Sequence, residues 1–263
     1  ADDAKASYTG VAPFKNEFGD MTVATFTTSS RICSAFFITQ LHTTSDPRMA
    51  QWVRTIGSED IHGVVSGVIQ PDGTGASVMN VSVLKQYTTP VWLMTSSEVC
   101  FILSEAAHTG MITGGEALAE QYYEKAITNS LRQWSPTISD ANIDRFLHAT
   151  GSKVAYNGTQ EQIILQKWVS LFLQGFESWC DYRRTGYPKL PIGPGCANEG
   201  VMPTRLCYPQ TLISTNSSNY QKQVARMRAA YPIVGRGTVG GDNMLTPGRW
   251  SKRAVDLEKG AVN

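Results

Sequence analysis

The 263-residue sequence is short of the features that several function classes require. Its charge is balanced, with 23 Lys and Arg against 22 Asp and Glu for a net charge of +1. That balance gives no reason to expect nucleic acid or an acidic membrane as a partner. The basic residues form no long run; Arg226 and Arg228 near Lys222 are the densest group. No apolar run approaches the roughly 18 residues that a membrane helix needs, and no signal peptide opens the chain. The five cysteines (Cys33, Cys100, Cys180, Cys196, Cys207) include no C-x-x-C, which argues against a zinc site or a disulfide scaffold. Cys100 and Cys180 fall in apolar helical patterns and read as buried thiols, while a Cys196–Cys207 closure stays open. His42, His62, His108 and His148 lack metal-ligand spacing such as H-E-x-x-H. Asp72-Gly73 marks a turn, and no regular series of oxygen ligands surrounds it to make a calcium site. There is no G-x-S-x-G and no defensible Cys/His nucleophile pair. Gly235, Gly237 and Gly240 spell G-x-G-x-x-G, but Pro232 before them and Gly241 and Pro247 after them indicate a turn rather than a strand-to-helix phosphate cradle. No catalytic residue, metal or cofactor is therefore expected.

What is present is a globular composition rich in aromatics, with charged residues at 17% and aromatics at 10%, enough for one or two domains. The organising stretch is residues 159 to 191. Ile163, Ile164, Trp168, Leu171, Phe172, Phe176 and Trp179 recur at three- and four-residue spacing, which predicts one long helix with a broad apolar face. Gly175 would then lie mid-helix, costing about 1 kcal/mol relative to Ala unless a neighbour approaches closely. Arg183-Arg184 suit the helix C-terminus, and Gly186 and Pro188 stop it.

Elsewhere, ADDAKASYTG reads as a frayed start or linker and VATFTTS as a short-strand candidate. Ser29 or Ser30 would cap a helix through RICSAFFITQL. Asp46-Pro47-Arg48 predicts a short helix over 47–53. Residues 55–92 read as long loops with one or two short strands. EVCFILSEAAHTG and GGEALAEQYYEKAITNSLRQW predict a helical hairpin within 95–134, in which Ala119, Tyr123 and Ala126 fit a tetratricopeptide second helix. Ser139-Asp140 opens a further helix to His148, and 218–230 is helical. His108 and His148, at helix ends, are placed to satisfy free carbonyls.

The run ILQKWVSLFLQGFESWCDYRRTGYP resembles the conserved helix of the SusD/RagB family, with the matches at Gln166-Lys167-Trp168, Gly175-Phe176-Glu177 and Arg183 through Pro188. Asp46-Pro47-Arg48, Arg205-Leu206-Cys207-Tyr208-Pro209, Asn219-Tyr220, and Asn243 to Thr246 with Trp250 are similar to further family segments in the same order. The last match is imperfect, because a second Trp is absent and Pro247-Gly248 intervenes. The resemblance implies a mainly α, tetratricopeptide-like scaffold with long irregular loops and little strand. It implies a single SusD-like domain over 1–263 that lacks its N-terminal part. It further implies a surface-exposed outer-membrane protein of Bacteroidota that binds an oligosaccharide or peptide and hands it to a SusC-like TonB-dependent transporter. Membrane attachment would be through a lipid anchor absent from this chain, and no bond chemistry is implied.

Within that frame the ligand-binding candidates are the loop aromatics Trp52, Tyr87 and Trp92, since an apolar sugar face covers an aromatic ring well. The competing reading, that they cover the core, is the stronger one for Trp92, which directly precedes a helix; for Trp52 the two balance. Two rivals remain: a glycan hydrolase using Glu177 and Asp181, which share a helix face, and a helical-repeat module that binds another protein. Arg184, three residues beyond Asp181, favours a structural ion pair over catalysis.

Overall fold

The computed structural model describes residues 3–20, 32–55, 60–69, 75–196, 200–234, 238–252 and 256. The VATFTTS segment, Asp72-Gly73 and two glycines of the G-x-G-x-x-G lie outside them. The chain divides into two compact units, one of residues 1–66 and 70–178, the other of 67–69 and 179–263. The described structure is mainly α, as the resemblance implies, with two two-stranded antiparallel sheets.

The first unit is built on a helical hairpin. Helices α1 to α3 are short (Ala35–Thr43, Met49–Trp52, Val81–Leu84), and α4 (Ser96–His108) and α5 (Gly115–Trp134) form the hairpin. Thr95 caps α4 by accepting from the Glu98 N–H at 3.1 Å, and Asp3 accepts from the Ser96 N–H at 2.8 Å. Gly114 and Gly115 turn the chain at φ of 138° and 60°, conformations that favour glycine. Small residues bring the two helices close: the Ser97 hydroxyl donates to Ala126 O at 2.8 Å and the Ser104 hydroxyl to Ala119 O at 2.7 Å. Ala119, Tyr123 and Ala126 are fully buried, as the repeat spacing predicts. Helix α6 (Asp140–His148) adds Ile143, Phe146 and Leu147, and α7 (Gln160–Ser170) adds Ile163, to the same core.

Several expectations are corrected. The predicted long helix is two: α7 ends at Ser170 and α8 runs Gly175–Thr185. Between them Leu173 adopts φ 70°, a left-handed turn. Leu171 is buried and the Phe172 ring stacks on Trp52 at 4.6 Å, so the apolar face is spent before the break and Phe176 is 82% exposed. Gly175 starts a helix instead of sitting inside one, and a Cβ there would meet nothing within 4 Å. The start is not frayed from Asp3 on: β1 (Ala4–Ala6) pairs antiparallel with β4 (Val91–Met94). Helix α1 is capped by Ser34, after Ile32 bridges to Val78 and Ser34 to Val64; Ser29 and Ser30, the predicted caps, lie outside the described residues. Strands β2 (Val53–Arg54) and β3 (Val78–Met79) pair within the loop-rich stretch. His108 and His148 bond carboxylates (Glu116, and Glu124 with Asp144) and not helix carbonyls.

The second unit has a small core of Tyr231, Val234 and Leu245. Gly186, at φ 77°, ends α8. Helices α9 (Gln210–Thr215) and α10 (Ser217–Ala230) follow, the first unforeseen from sequence. Asp242 ties the unit together: its carboxylate accepts from Arg205 Nη1 and from the Tyr208 N–H, each at 3.0 Å. The Tyr208 ring meets Tyr220 edge-on at 5.9 Å. Asn243 caps the next turn, its carbonyl oxygen accepting from the Leu245 and Thr246 N–H groups. The separate segments resembling the family thus converge on one another. All five cysteines are free thiols, with Cys207 exposed.

Candidate ligand-binding site

A cleft of the first unit has a volume of about 820 Å³, within the usual range of about 300–1,000 Å³ for ligand sites. Three stretches wall it: the turn after α1 (Thr43, Thr44, Ser45), the α5–α6 connection (Trp134 to Ile138), and the end of α6 with its loop (Asn142 to Lys153).

A buried ion pair fixes the first wall. Arg48 donates through Nε to Asp46 Oδ1 at 2.9 Å and through Nη1 to Ser130 Oγ at 2.8 Å on α5. Both charged side chains are almost without exposed surface. A desolvated pair stands only when its donors and acceptors are matched. Here the guanidinium meets both carboxylate oxygens and a hydroxyl. The Asp46-Pro47-Arg48 element therefore holds the α1–α2 turn against α5, and Asp46 also caps that turn by accepting from the Arg48 N–H. The helix that follows covers Met49–Trp52 only, shorter than the predicted 47–53.

The third wall is pinned by Ser152, whose hydroxyl donates to Phe146 O at 2.8 Å and accepts from the Val154 N–H at 3.2 Å. Thr43 and Thr44 donate to carbonyls of α1, which leaves their lone pairs to accept. Gln51 and Asn142 add amides, and Arg145 and Lys153 are the charged residues of the lining, which holds no carboxylate. Trp134 and Phe146 supply aromatic surface. Such a lining offers many hydrogen bonds to a hydroxyl-rich ligand and no acid–base pair of carboxylates for hydrolysis.

The three aromatics singled out from sequence fall apart on this map. Trp52 is fully buried, stacked on Phe37 at 5.9 Å and Phe172 at 4.6 Å, and edge-on to Trp134 at 5.5 Å. Its ring offers no face to a ligand. Trp92, on β4, is partly buried and packs on Trp134 at 5.2 Å. Both lie against Trp134, the tryptophan of the cleft lining, which the sequence reading took only as the end of a helix. Tyr87 is 43% exposed but does not line the cleft. It packs on Gly19 so closely that a Cβ there would collide with the ring, and its hydroxyl donates to Asp20 at 3.2 Å. In the Glu177–Asp181 pair, Asp181 is buried and ion-paired with Arg184 at 2.9 Å, which favours a structural role. Among the described residues, no three His, Cys, Asp or Glu side chains cluster to hold a metal, and no helix is long and apolar enough to cross a membrane.

A family model described as starch-binding and associating with the outer membrane matches residues 1–209. The chain belongs to the SusD-like family. Solved SusD-like structures share the fold. A homologue from Bacteroides ovatus superposes with a TM-score of 0.71 at 24% identity, covering 94% of this chain and 56% of its own. A chitin-binding homologue from Flavobacterium johnsoniae gives 0.68 at 23%, covering 92% and 53%. A protein titled chitin-binding gives 0.67 at 28%, covering 83% and 49%. The chain thus spans about half the length of these structures. No curated protein matches it. Membership bears out the resemblance read from the α7–α8 segment, even though that segment is broken.

Proposed function

We propose that this SusD-like chain binds an oligosaccharide, uncut, in the cleft of its first unit, and that the protein presents it at the cell surface to a SusC-like TonB-dependent transporter. The observation that carries the reading is the lining itself: hydroxyls, amides and the Trp134 surface, with no carboxylate. Sugar hydroxyls both donate and accept, and Ser, Thr, Asn and Gln answer both roles. The family's description and the two chitin-binding neighbours support a glycan ligand. In this reading Trp52 and Trp92 serve by holding Trp134 in place, and Tyr87 is a contact for a longer ligand outside the cleft. Delivery to the transporter rests on family membership alone.

The test is a retention screen. The purified protein is incubated with starch-type and chitin-type oligosaccharides and with a peptide mixture, and bound and free species are followed by mass spectrometry. Retention of an unaltered sugar that weakens in Gln51→Ala and Asn142→Ala is the expected result. Retention of peptides alone overturns the choice of ligand, and shortened sugars overturn the binding-only assignment.

A further inference from the structure

The second unit carries a cleft of its own, about 390 Å³ in volume, which the reading above leaves unused. Like that of the first, its lining carries an excess of cations. Arg183, Lys189 and Lys252 line it, against one carboxylate, Asp256, which is already ion-paired with Lys252.

Arg183 is held in an unusual way. Its guanidinium carbon lies 4.0 Å from the Trp179 ring centre and 4.6 Å from that of Trp250. Two aromatic contacts hold the group and remove part of its water. The one hydrogen bond it makes among the described residues is a weak one, from Nη2 to Cys180 Sγ at 3.3 Å. The Nε–H is covered and meets no acceptor, and no described carboxylate lies within ion-pairing distance. A carboxylate is the planar partner that the fork of a partly desolvated guanidinium fits. Lys189 stands exposed nearby, with Nζ 4.8 Å from the Tyr187 ring centre, as a second charge. Leu190, Ile192, Val201 and Met202 give the rest of the wall an apolar character suited to the C–H face of a pyranose.

We infer that this cleft is a second ligand site, selective for a carboxylate-bearing sugar, a uronic acid residue of an acidic glycan. The carboxylate pairs with Arg183, with Lys189 reinforcing it and the sugar ring lying on the apolar wall. The inference rests on the saccharide-binding reading of the protein.

The experiment uses isothermal titration of the whole chain with trigalacturonate, with the neutral α-1,4-linked galactose trimer, and with a short polyglutamate peptide. The expected result is that trigalacturonate binds more tightly than the neutral trimer. Its affinity should fall about ten-fold or more in Arg183→Lys, which keeps the charge and loses the fork, and in Lys189→Gln. Raising the salt should weaken it further. Lys189→Gln alters an exposed residue, so the test survives if Arg183→Lys fails to fold. If the acidic trimer binds no better than the neutral one, or binds regardless of Lys189→Gln, the second site is overturned while saccharide binding in the first unit stands. Equal binding of polyglutamate overturns the sugar in favour of an acidic peptide. If no saccharide of either kind binds here or in the retention screen, both readings fall.

Discussion

A tryptophan without exposed surface acts on a ligand only through its neighbours. Trp52 touches Phe37, Phe172 and Trp134, and Arg48 lies 5.3 Å from its ring centre. Trp52→Ala is expected to cost about 3–5 kcal/mol of stability, the range for emptying a buried aromatic site. Denaturant unfolding measures it, and a cost below 1 kcal/mol would mean that the site collapses or that the ring is not core. The neighbouring Gln51→Ala should leave the unfolding midpoint almost unchanged while weakening sugar retention. Adjacent positions thus separate stability from binding. Sequence could not part them, because a tryptophan in a loop-rich stretch scores alike as platform and as core. Its burial is settled by Phe172, which is 120 residues away in the chain and reaches it only because α7 stops where it does.

At the scale of elements, that stop is a leucine in the left-handed region, which costs an L-residue about 1–2 kcal/mol. Leu173 is 37% exposed, so its partial burial offsets part of that cost. Leu173→Gly should therefore hold or raise the thermal midpoint despite glycine's larger chain entropy, whereas Leu173→Val should lower it. A clear drop in the glycine variant would show that the side chain contributes packing beyond its exposure. Gly175 in LFLQG was a hint of a break, but the left-handed residue is Leu173, and the apolar period runs straight through it, so the break itself was not legible. The α4–α5 hairpin was legible because small residues and glycines occur where close helices and a tight turn need them.

The link between α5 and α6 responds to pH. His148 Nε2 meets Glu124 of α5 at 2.8 Å, and Nδ1 meets Asp144 of its own helix at 2.9 Å. These hydrogen bonds, Glu124's first, hold its pKa above the ordinary value near 6.5. A group raised in the folded state contributes stability that is fully present below its unfolded pKa and is lost as pH rises through the folded one. The stability difference between wild type and His148→Gln should thus be greatest below about pH 6.5 and fade above it. A difference that is flat with pH would remove the charged clasp. The residue is largely open to water, so the effect is modest.

For the whole molecule, the two compact units have separate cores and separate ties. Asp242→Ala removes the acceptor shared by Arg205 and Tyr208 and leaves a half-buried guanidinium unpaired. Hydrogen exchange should then quicken across 200–252 while the amides of 101–131 keep their protection. Uniform loss of protection would show instead that the units unfold as one. The segments of the second unit were readable as family matches long before their convergence on Asp242 was visible. The first-unit cleft was not readable at all. Its walls come from three stretches far apart in sequence, made of ordinary Thr, Ser and Asn, and joined by a bond from Arg48 to Ser130 that no local pattern records.

The tryptophans have an optical consequence. Trp52, Trp92 and Trp134 lie within 5.5 Å of their nearest indole neighbour, ring centre to ring centre, and two phenylalanines link Trp168 to them. Rings this close share excitation, so the first unit emits as one coupled chromophore with a fixed handedness in the near ultraviolet. Trp134 is its window onto the cleft. Trp179 and Trp250 lie against Arg183 of the second cleft. An unlabelled sample therefore carries intrinsic chromophores in both units, and occupancy of the first cleft is readable through Trp134.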